Sequence, residues 1–468
     1  MKPEPVDLLI IGAGPAGMAA AIEACGLGLS VTVLDEQASP GGQIYRDVRL
    51  ADPQRLAVLG ADYQAGLALV ERFLACGARY IPQASVWLVS PQQQVHFLHQ
   101  GQARTLHPRR LLIACGAYER ALPIPGWTLP GVMNAGAGQI LLKGAALLPA
   151  VPVLLAGCGP LLYLLAAQYL RAGVQVAALV DTSSHADLLR AWRQIPAALG
   201  GWRELLKGLG LLRQLRRAGI RHFRGARDLQ IEGQDQARAL RFRCGGDEHR
   251  LPAQLILLHQ GVVPNTQISW SLRLEHQWDE QQLCWTVHRD PFGETSQPGV
   301  FIAGDAAAIG GALAAREQGR IAALGIARQL QPLAAAQIDA QLPALRRALA
   351  RHLAARPLID ALYRPQQQNR IPADDVIVCR CEEVSAGDLR HYVDLGCLGP
   401  NQAKAFGRCG MGPCQGRLCG LSVSEVIAER RQVSPAAVGY YRIRPPLKPI
   451  TLTQLAGEAC LDRSQEHP

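Results

Sequence analysis

Two stretches of this chain, residues 6 to 36 and 151 to 181, are written on one plan. Each runs an apolar strand into a glycine turn, a helix rich in Ala or Leu, and a second apolar strand ending in aspartate. The first reads V-D-L-L-I-I, G-A-G-P-A-G and V-T-V-L-D-E; the second reads V-P-V-L-L-A, G-C-G-P-L-L and V-A-A-L-V-D. A helix between two such strands brings them side by side in parallel by a right-handed crossover. Used twice, the plan predicts an α/β fold with two Rossmann-like dinucleotide-binding domains. A chain of 468 residues is too long for one core, which agrees with two large domains and something further.

The first glycine turn is complete. Gly12 permits the tight turn, Gly14 lets a pyrophosphate approach the backbone, and Gly17 lets helix and strand pack closely. Pro15 and Ala16 open the helix, whose free N–H groups and dipole favour phosphate. Asp35 ends the next strand, eighteen residues after Gly17, where a carboxylate holds ribose hydroxyls, with Glu36 beside it as a second candidate. These residues read the ADP half that FAD, NAD and ATP share. The second turn keeps Gly157 and Gly159 but has Leu162 where the third glycine belongs. A side chain there narrows the phosphate seat, so NAD(P) binding is doubtful and the domain reads as scaffold. Asp181 would favour NAD over NADP if anything bound.

Six of the thirteen cysteines fall between Cys379 and Cys419. The N-terminus lacks a basic n-region and a cleavage site, so the thiols are expected to be reduced and the chain cytoplasmic. Clustered reduced cysteines point to metal. Cys379 and Cys381 form C-x-C after V-I-V, and R-C-G-M-G-P-C-Q-G-R-L-C supplies Cys409, Cys414 and Cys419. Four thiolates suit the two irons of a [2Fe–2S] cluster, and zinc is the competing reading. No C-x-x-C occurs, which argues against a dithiol reductase and leaves Cys25, Cys76, Cys115, Cys158, Cys244 and Cys284 as small buried hydrophobes. His107, His259 and His391 stand in no catalytic motif.

Between Arg190 and Arg227 there are ten Lys/Arg and one acid, Glu204. This stretch is expected to be a solvated basic face with its Leu and Trp turned inward. The sharper alternative is a docking surface for a partner or for anionic lipid. No nucleic-acid motif accompanies the charge. Residues 147–170 could pass for a membrane span, but the G-C-G-P interruption predicts a strand, a turn and a helix. Membrane attachment, if any, would be peripheral.

Three further segments carry a resemblance. P-G-G-Q, containing Gly42 and Gln43, then L-L-I-A-C-G-A with Gly116, then F-I-A-G-D with Gly304 and Asp305, are similar to the two-dinucleotide-domain flavoproteins that include glutathione and thioredoxin reductases. That resemblance implies FAD at the first turn, with Asp305 on the ribityl chain. Read without it, Asp305 could simply cap a helix. The cysteine spacing resembles the small bacterioferritin-associated-ferredoxin type of [2Fe–2S] domain, which implies Cys379, Cys381, Cys414 and Cys419 as ligands, with Cys409 as alternate and Cys397 structural.

The whole set, with A-C-G-A-Y-E-R-A-L-P-I-P-G-W-T-L-P-G-V and C-R-C-E-E-V, resembles a family containing opine oxidase A subunits, hydrogen cyanide synthase B subunits and proline- and hydroxyproline-type dehydrogenase α subunits. The resemblance implies a hetero-oligomer. It pairs this chain with a D-amino-acid-oxidase-like flavoprotein subunit, and in some members with a small [2Fe–2S] subunit. It also implies that ATP or ADP can replace FAD at the first site.

The expected boundaries are 1–120 with 290–350 for the first domain, 121–289 for the second, a linker at 351–372, a cluster domain at 373–435 and a surface tail at 436–468. Two other readings remain open at this point: a self-sufficient NAD(P)H oxidoreductase and a non-redox nucleotide-binding scaffold.

Overall fold

The computed structural model describes residues 6–456. The parts of the expected boundaries at residues 1–5 and 457–468, with Cys460, lie outside the described residues.

The first apolar repeat builds a five-stranded parallel sheet in the order Val300–Ile302, Pro108–Ile113, Val6–Ile11, Val31–Leu34, Arg79–Ile81. Its central strand is apolar on both faces because both are covered: Leu8, Leu9 and Ile10 are wholly buried. The second repeat builds a matching sheet in the order His222–Arg224, Val176–Asp181, Val153–Cys158, Leu255–Gln260, Val132–Asn134. Each domain also carries a three-stranded antiparallel meander, Ser85–Leu106 in the first and Arg227–Pro252 in the second. The duplication therefore extends beyond the glycine turns. A short antiparallel pairing of Ala117–Glu119 with Val262–Pro264 joins the two domains.

The chain then returns to the first domain. Helix Ala312–Leu330 packs along helix Pro15–Gly26 so closely that a Cβ on Gly319 would run into the Ala16 carbonyl. Residues 147–170 divide as expected into strand Val153–Cys158 and helix Pro160–Arg171. Among the described residues, no helix is long and apolar enough to cross a membrane.

Three expectations need correction. Residues 351–372 are not a free linker. They finish one helix, form another at Arg356–Leu362, and bury Leu358, Asp360 and Asn369. Polar composition misled because the Asp360 carboxylate is buried in an ion pair with Arg356. The tail is not laid on the surface either: Tyr440, Tyr441, Ile443 and Leu447 are core residues. The basic stretch does not turn its tryptophans inward: Trp192 and Trp202 face solvent.

The cysteine-rich part is not a tethered module. One continuous apolar core contains Leu9, Ile11, Leu111 and Ile302 of the first sheet together with Val378, Val423, Ile427 and Tyr441. A shared core fixes the thiols relative to the first glycine turn.

Candidate functional site

The first turn is an open cradle. Gly12 sits at φ +107, and a Cβ there would lie 2.5 Å from the Ala114 carbonyl oxygen. A Cβ on Gly17 would collide with the Gly12 carbonyl. These two glycines are required by packing. Gly14 and Gly116 are different: the only neighbour a Cβ on Gly14 would meet is the Gly42 Cα at 3.8 Å, and one on Gly116 would meet nothing. The backbone at both faces open space that a ligand can fill. Pro15 and Ala16 begin the helix at this mouth.

Asp35 is buried at the edge of the cradle. Its carboxylate accepts the Ala13 N–H at 2.5 Å and the Gln37 N–H at 2.6 Å. Burial pushes its carboxyl up, against the pull of those two bonds. Glu36 is exposed and ion-paired with Lys448 of the tail. Asp305 accepts the N–H groups of Gly310 and Gly311, both at 2.9 Å, through a single oxygen. It therefore shapes the turn into helix Ala312–Leu330. Gly304, at φ +72, rests against Ala16, so the 304–305 turn adjoins the cradle.

Gln43 is exposed, and its carbonyl accepts from the Lys143 ammonium at 3.0 Å. Lys143 is buried and also donates to Gln139 at 2.9 Å. Burial, helped by Arg46, brings its pKa down from 10.5 to about 7. Between those values the unfolded chain holds a proton that the folded chain has lost. Stability should therefore rise as pH rises from about 7 towards about 10. Lys143→Met should flatten that rise, as read from urea midpoints across the same range.

The second nucleotide seat is filled by the chain itself. Leu162 is wholly buried, and the His259 ring sits where a Cβ on Gly159 would be, 2.9 Å away. The Asp181 carboxylate is taken by the Tyr163 hydroxyl and by the Ser183 N–H at 2.8 Å. Residues 363–369 then cross the carboxyl ends of four neighbouring strands. Gln366 donates to the carbonyls of Ala226, at 3.3 Å, and Thr182. The Cys158 thiol donates to the Tyr363 carbonyl at 3.4 Å, and Gln260 donates to that of Asn369 at 3.2 Å. In doubly wound sheets this crevice is where a dinucleotide lies. Neither Tyr163 nor the crossing segment was marked from sequence; Leu162 was the one signal.

The thiol centre lies beside the tail. The sulfurs of Cys379, Cys409 and Cys419 all lie within 4.8 Å of one another and are buried. Cys414 is in hydrogen-bond contact with Cys419 and with Cys381, which is exposed. Five thiols thus converge, and the tightest three include the alternate Cys409 and only two of the chosen four. The Cys409 and Cys419 thiols bond to Cys379 and hold it well below the usual thiol range. Cys419 does the same for Cys414, and is itself pushed well above that range by its bond to Cys379. Soft, crowded, partly ionised sulfur is the donor chemistry that iron or zinc requires.

The loop closes through glycines. A Cβ on Gly412 would strike Cys381, one on Gly410 or Gly416 would strike Tyr441, and one on Gly420 would strike Tyr440. The Tyr441 hydroxyl donates to Cys409 at 3.3 Å, and the Lys404 ammonium sits 4.8 Å from the Tyr441 ring centroid, beside the Cys409 and Cys419 thiols. Cys397 is buried apart from the cluster, bonded to the Gly399 carbonyl at 3.3 Å.

Two other expectations are refined. Cys25 and Cys76 are half-buried and touch each other. The lack of C-x-x-C therefore did not exclude a thiol pair. That pair sits at the C-terminal end of helix Pro15–Gly26, roughly 15 Å from the glycine turn by helix rise. His107 and His391 are exposed, whereas His259 is buried and bonded to Glu119.

Known proteins match both parts. The family of pyridine nucleotide-disulphide oxidoreductases matches residues 6–322, and the sarcosine oxidase A3 domain matches residues 376–458. The chain is 44% identical to the opine oxidase A chain of Agrobacterium tumefaciens (strain Ach5), over 96% of its own length and 91% of that protein. It is 34% identical to hydrogen cyanide synthase subunit HcnB of Pseudomonas aeruginosa, over 94% of this chain and 96% of that one. Its fold is like that of L-proline dehydrogenase from P. horikoshii, with TM-score 0.67 at 17% identity, covering 96% of this chain and 79% of that one. The chain therefore belongs to the pyridine nucleotide-disulphide oxidoreductase family, in the group that includes opine oxidase A subunits and hydrogen cyanide synthase subunit HcnB.

Proposed function

We propose that this chain is the flavin- and iron–sulfur-bearing electron-transfer subunit of a heteromeric dehydrogenase or oxidase acting on CH–NH or CH–NH2 donors. The donor class is secondary amines, opines or hydroxyproline-like amino acids, oxidised on a D-amino-acid-oxidase-like flavoprotein partner. A small [2Fe–2S] subunit is a further partner, and the site of action is cytoplasmic. The observation that carries this reading is the single core shared by the thiol centre and the first dinucleotide domain.

The cradle of Gly12, Gly14, Pro15, Ala16 and Gly17 fits an ADP moiety, with Asp35 for its ribose. Gly42, Gln43, Gly116, Gly304 and Asp305 border the flavin end in this reading. Cys379, Cys381, Cys414 and Cys419 would hold the cluster, with Cys409 against them under the Tyr441 hydroxyl. Bound there, a flavin would exchange electron pairs and a [2Fe–2S] cluster single electrons.

Aromatic side chains bridge the two regions. Tyr440, adjoining Tyr441, stacks on Trp270 at 5.5 Å between centroids and hydrogen-bonds to Tyr118. Tyr440 thus links the cysteine loop, through its contacts with Gly416 and Gly420, to Tyr118, two residues beyond Gly116.

Anaerobic purification tests the reading. The chain alone should contain iron, sulfide and a releasable yellow flavin, and should not oxidise amines. Activity should appear when the partner flavoprotein is co-expressed. Stoichiometric zinc without iron, or ATP or ADP released in place of flavin, would replace the corresponding cofactor. Turnover by the isolated chain would sink the relay role. The self-sufficient NAD(P)H reading has the filled second seat against it. Accordingly, millimolar NADH should bleach the flavin no faster than an unspecific reductant, and NAD should leave the melting temperature unchanged.

A further inference from the structure

Residues 188–217 form an almost unbroken run of helical turns with one feature a settled surface lacks. Leu189, Trp192, Leu199, Trp202, Leu206 and Leu209 are each more than half exposed, from 53% for Trp202 to 74% for Leu189. Helix Trp202–Arg217 already has an inward apolar face, with Leu215 buried and Leu211 and Leu212 packed on the main core. Trp202, Leu206 and Leu209 lie on a second apolar stripe, at steps of four and three, that is turned to solvent.

The charge around this stripe is almost all of one sign. Arg193, Arg203, Arg213, Arg216 and Arg217 have no carboxylate partner among the described residues, whereas Arg190 is paired with Asp187 and Lys207 with Asp62 and Glu204. The basic residues are interleaved with the apolar ones: Leu189-Arg190, Trp192-Arg193, Trp202-Arg203 and Leu206-Lys207 are adjacent pairs.

That interleaving selects the occupant. The centre of a protein interface is depleted of charge, because each buried guanidinium must find a partner. At an anionic lipid surface the demand is met everywhere. Headgroup phosphates receive each Arg while the neighbouring Leu or Trp enters the boundary with the acyl chains. We infer that residues 188–217 are a peripheral membrane anchor that seats this chain on anionic phospholipid.

The inference is independent of the amine chemistry proposed above, and its test reads lipid binding, not turnover. The full chain is sedimented with vesicles of phosphatidylglycerol and phosphatidylethanolamine, or of phosphatidylcholine alone. It should sediment with the anionic vesicles at about 0.1 M salt and be largely released at about 1 M, where screening shortens the Debye length. It should ignore the neutral vesicles. Trp192→Glu with Trp202→Glu should cut the bound fraction at least about tenfold, and so should Arg193→Glu with Arg203→Glu. Cofactor content and melting temperature of these variants should not change, because the side chains are outside the core. Failure to bind anionic vesicles would overturn the inference, as would equal binding to both compositions. So would variants that bind lipid normally but lose self-association or a co-purifying subunit, since the patch would then be a protein interface.

Discussion

Serine at Cys379 or Cys419 is expected to leave the anaerobically purified chain with almost no iron while the flavin stays bound. Both thiols lie in the tightest group of sulfurs and in the proposed ligand set; the third member of that group is the alternate, Cys409. A hydroxyl is a harder and weaker donor for iron than a thiolate. Iron per chain and the paramagnetic signal of the reduced protein measure the loss. The same assay separates the remaining thiols. Under the proposed ligand set, Cys409→Ala keeps the iron and Cys381→Ser or Cys414→Ser loses it. The reverse result would move the ligand role to Cys409, which is buried and bonded to Tyr441. Because a metal held there would bind only the folded loop, iron loss should also lower the melting temperature.

Valine at Gly17 is expected to abolish flavin retention. Its Cβ would overlap the Gly12 carbonyl, so helix Pro15–Gly26 would have to leave the sheet. Overpacking of this kind against backbone costs about 4 kcal/mol or more, beyond what most single substitutions cost. If that variant fails to fold, Asp35→Asn tests the same cradle with its shape preserved. An amide can still accept one hydrogen bond but cannot charge-balance the two N–H groups that Asp35 receives. Flavin retention should weaken by about one to two powers of ten, or about 1–3 kcal/mol. Equilibrium dialysis against free flavin measures it. Unchanged retention would take Asp35 out of the nucleotide site.

What could be read from the sequence was local. Gly12, Gly17 and Asp35 announce themselves because a turn, a close helix and a strand end are set by residues a short distance apart. The C-x-C at Cys379 was legible for the same reason. Cys409 was harder, because spacing cannot tell which of three sulfurs in one loop turn inward. The crossing segment at 363–369 was missed entirely. Its glutamines and proline have the composition of a linker, and only the assembled sheet shows that Gln366 satisfies the carbonyls of Thr182 and Ala226, far apart in the chain. The tail was missed because R-I-R-P-P-L-K-P reads as exposed, while Tyr440 and Tyr441 just before it are buried by partners far away in the chain. Trp192 and Trp202 failed in the opposite sense: amphipathic periodicity says that a helix has an apolar face, not which surface covers it.

The strap from Tyr440 to Lys448 ties several parts of the chain together. Tyr441 closes over the sulfurs, Gln415 and Arg417 grip the carbonyls of Pro446 and Leu447, and Leu447 and Lys448 reach Trp87 and Glu36. These residues leave the ribosome after the cysteine loop does. During synthesis the cysteine loop therefore emerges before the residues that cover it, and its thiols stay uncovered for the few seconds of translation that separate the two.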